Sequence, residues 1–211
     1  MLRTFARAVT LVALLGAGVL VWRAPDARAL EELRGEKEAI KACDKRLCAI
    51  LTQKSPKGED LKCALTKTWA RSKIKEAENS KLTWGYGDAR CTVDINIERL
   101  AVVQAMTGER DKFWVQPHTA NCIVESDGKM EKVTATLAPK IVFKDGRVDK
   151  IWINLKSVEG PATIKATIYT AAELTDRLGL FHRRMVKSAN RYIERHCPKE
   201  FPTVAGRDKA K

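Results

Sequence analysis

The residues of this chain with the widest chemical repertoire are six cysteines and three histidines. The cysteines are Cys43, Cys48, Cys63, Cys91, Cys122 and Cys197. No two stand in a Cys-x-x-Cys pair, so neither a zinc knuckle nor a redox motif is present. Cys43 and Cys48 are five positions apart, which on a helix is about 140° round the axis. Two such side chains point to different partners. An even number of cysteines in an exported chain reads as disulfides, and six allow 15 pairings that spacing alone does not choose between. A metal site and a reactive thiol are the competing readings.

The histidines are His118, His182 and His196. His182 and His196 are 14 positions apart, about 21 Å along a continuous helix, too far to share one metal. His118 follows Pro117 and is the candidate base if the chain is an enzyme. No His-Glu-x-x-His, Gly-x-Ser-x-Gly, phosphate-binding loop or dinucleotide fingerprint occurs. No carboxylate pair is singled out by an apolar setting that would raise a pKa. Catalysis is therefore the weaker expectation, and no cofactor or metal is implied. A different chemistry is offered by Trp84-Gly85-Tyr86-Gly87, with Trp69 upstream. Glycines beside aromatics let a flat ligand such as a sugar or a base approach the backbone. The alternative is that these rings close one end of the core.

The first 29 residues read as a secretory signal. Arg3 and Arg7 precede an apolar run of 15 residues, Ala8 to Trp22, and Ala27-Arg28-Ala29 offers a small-x-small cleavage site before Leu30. The run is short of the about 20 residues that a spanning helix needs, so cleavage is favoured over retention as an anchor. No later segment is apolar enough to span. Removing residues 1–29, with four arginines and one aspartate, lowers the net charge from +13 to +10. The 45% apolar content is that of a folding chain, and 12 Gly and 7 Pro exclude collagen-like and low-complexity classes. Residues 30–203 are read as a single domain and 204–211 as a basic disordered tail.

The elements that must position these residues follow from periodicity. Residues 31–53 carry a helical stripe of Leu33, Ile40, Cys43, Leu47, Ile50 and Leu51. Leu61, Cys63 and Leu65 alternate as a short strand, and 69–77 are helix-prone. Cys91, Val93, Ile95 and Ile97 alternate, and Leu100–Met106 is open between helix and strand. Asp127-Gly128 and Asp145-Gly146 are hairpin signals. Alternation continues through Val133, Ala135, Leu137, Ile141 and Phe143, then Ile151, Ile153 and Leu155, and predicts a last strand at Ile164, Ala166 and Ile168. A capping box, Thr170 to Glu173, predicts the start of a long C-terminal helix running to Cys197-Pro198, with Gly179 as a weak point. The predicted fold is α+β: an antiparallel β-meander covered on one face by an N-terminal helix and a long C-terminal helix.

Such a sheet has a wet face of lysines and threonines carrying Trp152. The leading expectation is an exported, non-enzymatic binding protein of a bacterial envelope, periplasmic or secreted. Its anionic partner, a polymer, lipid head group or acidic protein, would meet Lys132, Lys150, Trp152, Lys165 and Arg184. The outer face of the last helix is basic as well, a pattern that also suits an anionic membrane. The second expectation is a carrier for a small apolar ligand held between the C-terminal helix and the sheet by Phe143, Ile153, Leu178, Phe181 and Met185. The third is an enzyme centred on His118. Nucleic acid fits the charge but not an exported setting.

Overall fold

The computed structural model describes residues 30–77, 84–179 and 181–202. The proposed signal, 1–29, and the proposed tail, 204–211, lie outside the described residues. The fold is α+β, with antiparallel sheets and helices near both ends. In chain order the elements are α1 (Glu36–Gln53), β1 (Leu61–Trp69), α2 (Arg71–Ala77), β2 (Ala89–Ile97) and α3 (Arg99–Thr107). Then come β3 (Arg110–Trp114), β4 (His118–Ser126), β5 (Lys129–Leu137), β6 (Lys140–Lys144), β7 (Arg147–Trp152) and β8 (Leu155–Glu159). The chain ends in α4 (Ala162–Asp176), α5 (His182–Arg191), a π-helical turn (Tyr192–His196) and α6 (Cys197–Glu200).

The strands form two sheets, not one meander. β1-β2-β4-β5-β8 make a five-stranded sheet and β3-β6-β7 a three-stranded one. In the larger sheet, alternation sets the faces as expected. Leu61, Cys63 and Leu65 pair with Ile97, Ile95 and Val93, and Cys91 pairs with Cys122, which pairs with Val133. The opposite face carries Thr66, Thr92, Thr119, Asn121, Thr134 and Thr136, with hydrogen bonds joining Thr92 and Thr134 to Asn121 and Thr119 to Thr136. In the smaller sheet a bulge between Val142 and Phe143 shifts the register, so that Ile141 faces Ile151 while Phe143 faces Val148. The extra residue, Asp149 on β7, breaks the strict parity of that strand and brings Val148 and Ile151 to the face of Ile141 and Phe143.

The apolar interior has two parts. The main core joins α1, α3, the α6 region and both sheets, through Ile50, Leu61, Met106, Phe113, Phe143, Val148 and Phe201. A smaller cluster, Ala89, Val124, Val133, Val158 and Ile164, lies between the far half of the large sheet and α4. The disulfides are Cys43–Cys63, Cys48–Cys197 and Cys91–Cys122. Cys43 and Cys48 go to different partners, as their spacing requires.

Residues 162–168 are helical, which corrects the expected last strand. Ile164, Ile168, Ala172 and Thr175 lie at spacings of four, four and three, and form the packed side of α4. Ala166, expected inward, is exposed. Pro161 immediately precedes the helix, and its fixed φ suits a helix start. The capping box at Thr170 is overridden because it falls inside a helix already begun. Nor is the C-terminal helix continuous. Asp176 accepts hydrogen bonds from the N–H groups of Ile153 and Asn154, both 2.7 Å, which ties the end of α4 to the β7–β8 link. Gly179 then takes φ +63°, a left-handed conformation that glycine adopts freely, and α5 starts afresh at His182.

Glu36, 3% exposed, fixes the start of α1 against β1. It accepts from the Thr68 N–H at 2.6 Å, the Thr68 hydroxyl at 2.9 Å and the Leu33 N–H at 3.3 Å, with Lys67 Nζ at 3.5 Å. Burial pushes its carboxyl up, but these bonds outweigh it and hold the pKa below the ordinary glutamate value. A lowered folded pKa stabilises above the unfolded value, about 4.3, and that contribution disappears as pH falls through the folded value. Glu36→Gln should therefore cost about 1–3 kcal/mol at neutral pH. Its melting temperature should fall less than that of the parent chain on acidification, as read by circular dichroism.

Candidate functional site

The smaller cluster does not fill its space. Between the large sheet, α2 and α4 is a cavity of about 450 Å³. Its floor is one face of the sheet: Ala89 and Cys91 on β2, Cys122 and Val124 on β4, Val133 and Ala135 on β5. The floor follows from register. Ala89 faces Val124, Cys91 faces Cys122, and Cys122 faces Val133, so small or β-branched side chains alternate across three strands. The Cys91–Cys122 bridge therefore forms part of the floor. α4 forms the roof with Ile164, Thr167 and Ile168, and α2 one wall with Lys73 and Ile74.

Three aromatic rings frame the cavity: Trp69, Trp84 and Tyr86. The Trp84 and Tyr86 rings meet edge to face at 5.2 Å, and Tyr86 Oη and Thr167 Oγ1 are hydrogen-bonded at 2.9 Å, joining the loop to α4. The indole N–H of Trp84 donates to the Gly87 carbonyl at 2.8 Å. Gly87 is a required glycine, because a Cβ there would lie 2.1 Å from Glu125 Oε2. Its N–H donates to the Glu125 carbonyl at 2.8 Å, and the Asp88 N–H to the Glu125 carboxylate at 3.2 Å. Asp88, itself buried, accepts from the N–H of Arg71 at 2.8 Å and of Leu30 at 2.6 Å. The start of α2 and the aromatic loop are thereby fixed to β4.

Among the described residues of the lining, Lys73 alone carries charge, and no buried side-chain nitrogen or oxygen lacks a hydrogen-bond partner. The polar groups at the rim, Trp84 Nε1, Tyr86 Oη and Thr167 Oγ1, already bond one another or the backbone. The lining thus selects for hydrocarbon or aromatic surface, not for a sugar rich in hydroxyls.

The residues expected to hold an apolar ligand are elsewhere. Phe143 is buried in the main core, Leu178 is 68% exposed, and Ile153, Phe181 and Met185 are half-buried. None of the five lines the cavity. After the break at Gly179, α5 packs on β7 of the smaller sheet. The expected anion-binding residues are also dispersed. Lys132 is on β5, Lys150 and Trp152 are on β7 of the other sheet, Lys165 is on α4 and Arg184 on α5. They do not form one sheet face. Trp152 is half-buried, with Lys140 Nζ 4.7 Å from its ring centre and 4.8 Å from that of Trp114. That lysine explains the indole on a polar face: cross-strand pairing places Lys140 between the two rings.

His118 Nε2 accepts from the Asn96 N–H at 2.8 Å, and Nδ1 bonds the Gln116 carbonyl. Both ring nitrogens are thus engaged by backbone groups. Among the described residues no group of three histidine, cysteine, aspartate or glutamate side chains is placed to hold a metal, and no helix is long and apolar enough to cross a membrane. No family model matches the chain, and neither a curated protein nor a solved structure matches it.

Proposed function

We propose that this chain is an exported carrier that binds a small, predominantly apolar molecule in the cavity beneath α4. The observation that carries the reading is the lining: sheet floor, helical roof and aromatic rim present an unfilled apolar volume of about 450 Å³, within the range of ligand sites. Apolar volume of this size left empty costs stability, because its walls forgo dispersion contacts. A ligand supplies those contacts. Three disulfides and the leader-like N-terminus support an oxidising compartment, either periplasmic or extracellular.

The expected result is saturable enhancement of N-phenyl-1-naphthylamine fluorescence at about one probe per chain, unaffected by added sugars. Because the interaction is hydrophobic, affinity should change little between low and high salt. Probe fluorescence that rises without saturation would remove the reading.

A further inference from the structure

The segment 177–195 holds six basic residues, Arg177, Arg183, Arg184, Lys187, Arg191 and Arg195, against one acidic residue, Glu194. Arg147 on β7 ion-pairs with that glutamate. Arg183, Arg184, Lys187 and Arg191 are exposed and, at about 100° per residue, fall within an arc of about 100° on α5. Four of the basic residues, Arg183, Lys187, Arg191 and Arg195, border one open groove of about 480 Å³ between α5 and β7, with Arg147 on its far side. The groove's polar amide is already used: Asn190 accepts from the Val148 N–H at 2.8 Å and donates to its carbonyl at 2.9 Å. The groove's two carboxylates, Asp149 and Glu194, are paired with Arg110 and Arg147, and its other charged side chains are cationic.

Leu178, 68% exposed, stands just before α5 at the helix break, beside Arg177. Trp152, whose ring is 6.2 Å from that of His182, places the Trp114–Lys140–Trp152 row next to the same corner, and Trp114 is 55% exposed. An exposed leucine, an exposed indole and a stripe of arginines are the elements of an interfacial site. The apolar groups enter the acyl boundary and the cations meet phosphates. We infer that the α4–α5 corner and the outer face of α5 dock on an anionic lipid surface. The inference stands on charge and exposure and does not depend on the cavity.

The test is co-sedimentation with phosphatidylcholine vesicles with and without phosphatidylglycerol. The protein is encoded with residues 1–29 and purified in the form its host accumulates. Phosphatidylglycerol should be required for strong binding, and binding should be released near 1 M salt, where the screening length is about 3 Å. Each basic residue at an anionic surface contributes about 1 kcal/mol, so Arg183→Glu/Arg184→Glu/Lys187→Glu should bind at least about 100-fold more weakly. Leu178→Ser should bind about tenfold more weakly. All four side chains are exposed, so both variants should melt with the parent chain. Unchanged binding by the triple variant would overturn the inference. So would soluble polyphosphate binding as tightly as vesicles with Leu178→Ser without effect, because the groove would then hold a free polyanion.

Discussion

Ala135→Phe is expected to abolish probe binding while leaving the melting temperature unchanged or raised. Ala135 is on the cavity floor and only half-buried, in line with Val158 of β8. A phenyl group there projects into the space under α4. In a filled core, the same enlargement costs about 1–3 kcal/mol through forced rotamers and backbone shifts. In an empty apolar cavity the added ring gains contacts instead, up to about 1.5–3 kcal/mol for a fully buried phenyl. The variant thus separates a binding site from a packing defect by the sign of its effect on stability. Loss of probe affinity should be at least about 100-fold, equivalent to about 2.7 kcal/mol. A destabilised variant that still binds the probe would show that the cavity is not the site.

The second large effect is expected at Cys48–Cys197. This bridge spans 149 residues, joining α1 to α6, whereas Cys43–Cys63 and Cys91–Cys122 span 20 and 31. Loop-closure entropy makes the long bridge worth about 5 kcal/mol and the short ones about 3–4 kcal/mol. Both sulfurs are fully buried, so their loss also opens space in the main core. The neighbourhood is tightly coupled. Tyr192 donates to Asp44 with its hydroxyl 3.5 Å from Cys48 Sγ, and His196 Nε2 is 2.8 Å from the other Asp44 oxygen. The Tyr192 and His196 rings stack at 5.0 Å along the π-helical turn. Burial, then the Asp44 carboxylate, pushes the Tyr192 hydroxyl well above its ordinary pKa. Cys48→Ala/Cys197→Ala should therefore melt about 10–20 °C below the parent chain. The corresponding Cys91→Ala/Cys122→Ala variant should lose less stability but should alter probe affinity, since its bridge forms part of the cavity floor. A fall under about 5 °C for the first variant would contradict this account of the long bridge.

Much of this was legible in the residues. The period of two gave the faces of β1, β2 and β5, and the spacing of Cys43 and Cys48 pointed to two different partners. The two Asp-Gly hairpins turn at Asp127 and Asp145, both at positive φ. The alternation at Ile164, Ala166 and Ile168 misled because Ile164 and Ile168 satisfy a helical spacing of four equally well. Only Pro161 and the continuation to Ala172 and Thr175 distinguish the two. Once that segment is a helix, α4 covers the large sheet and a cavity opens beneath it. The aromatic loop was visible, but its neighbours on the floor were not, because they come from three strands and a disulfide brought together by register. The basic surface was visible as charge. Its distribution over two sheets and two helices was not, because the bulge at Val142–Phe143 and the break at Gly179 are tertiary choices with weak local signals.

The most direct test is a native mass spectrum of the protein recovered from its own host without detergent, paired with the Ala135→Phe variant. The account predicts a reproducible excess mass on the parent chain, released on denaturation, carried by an apolar compound and missing from the variant. A bare chain in both, less the six hydrogens of three disulfides, or the same adduct on both, would contradict it.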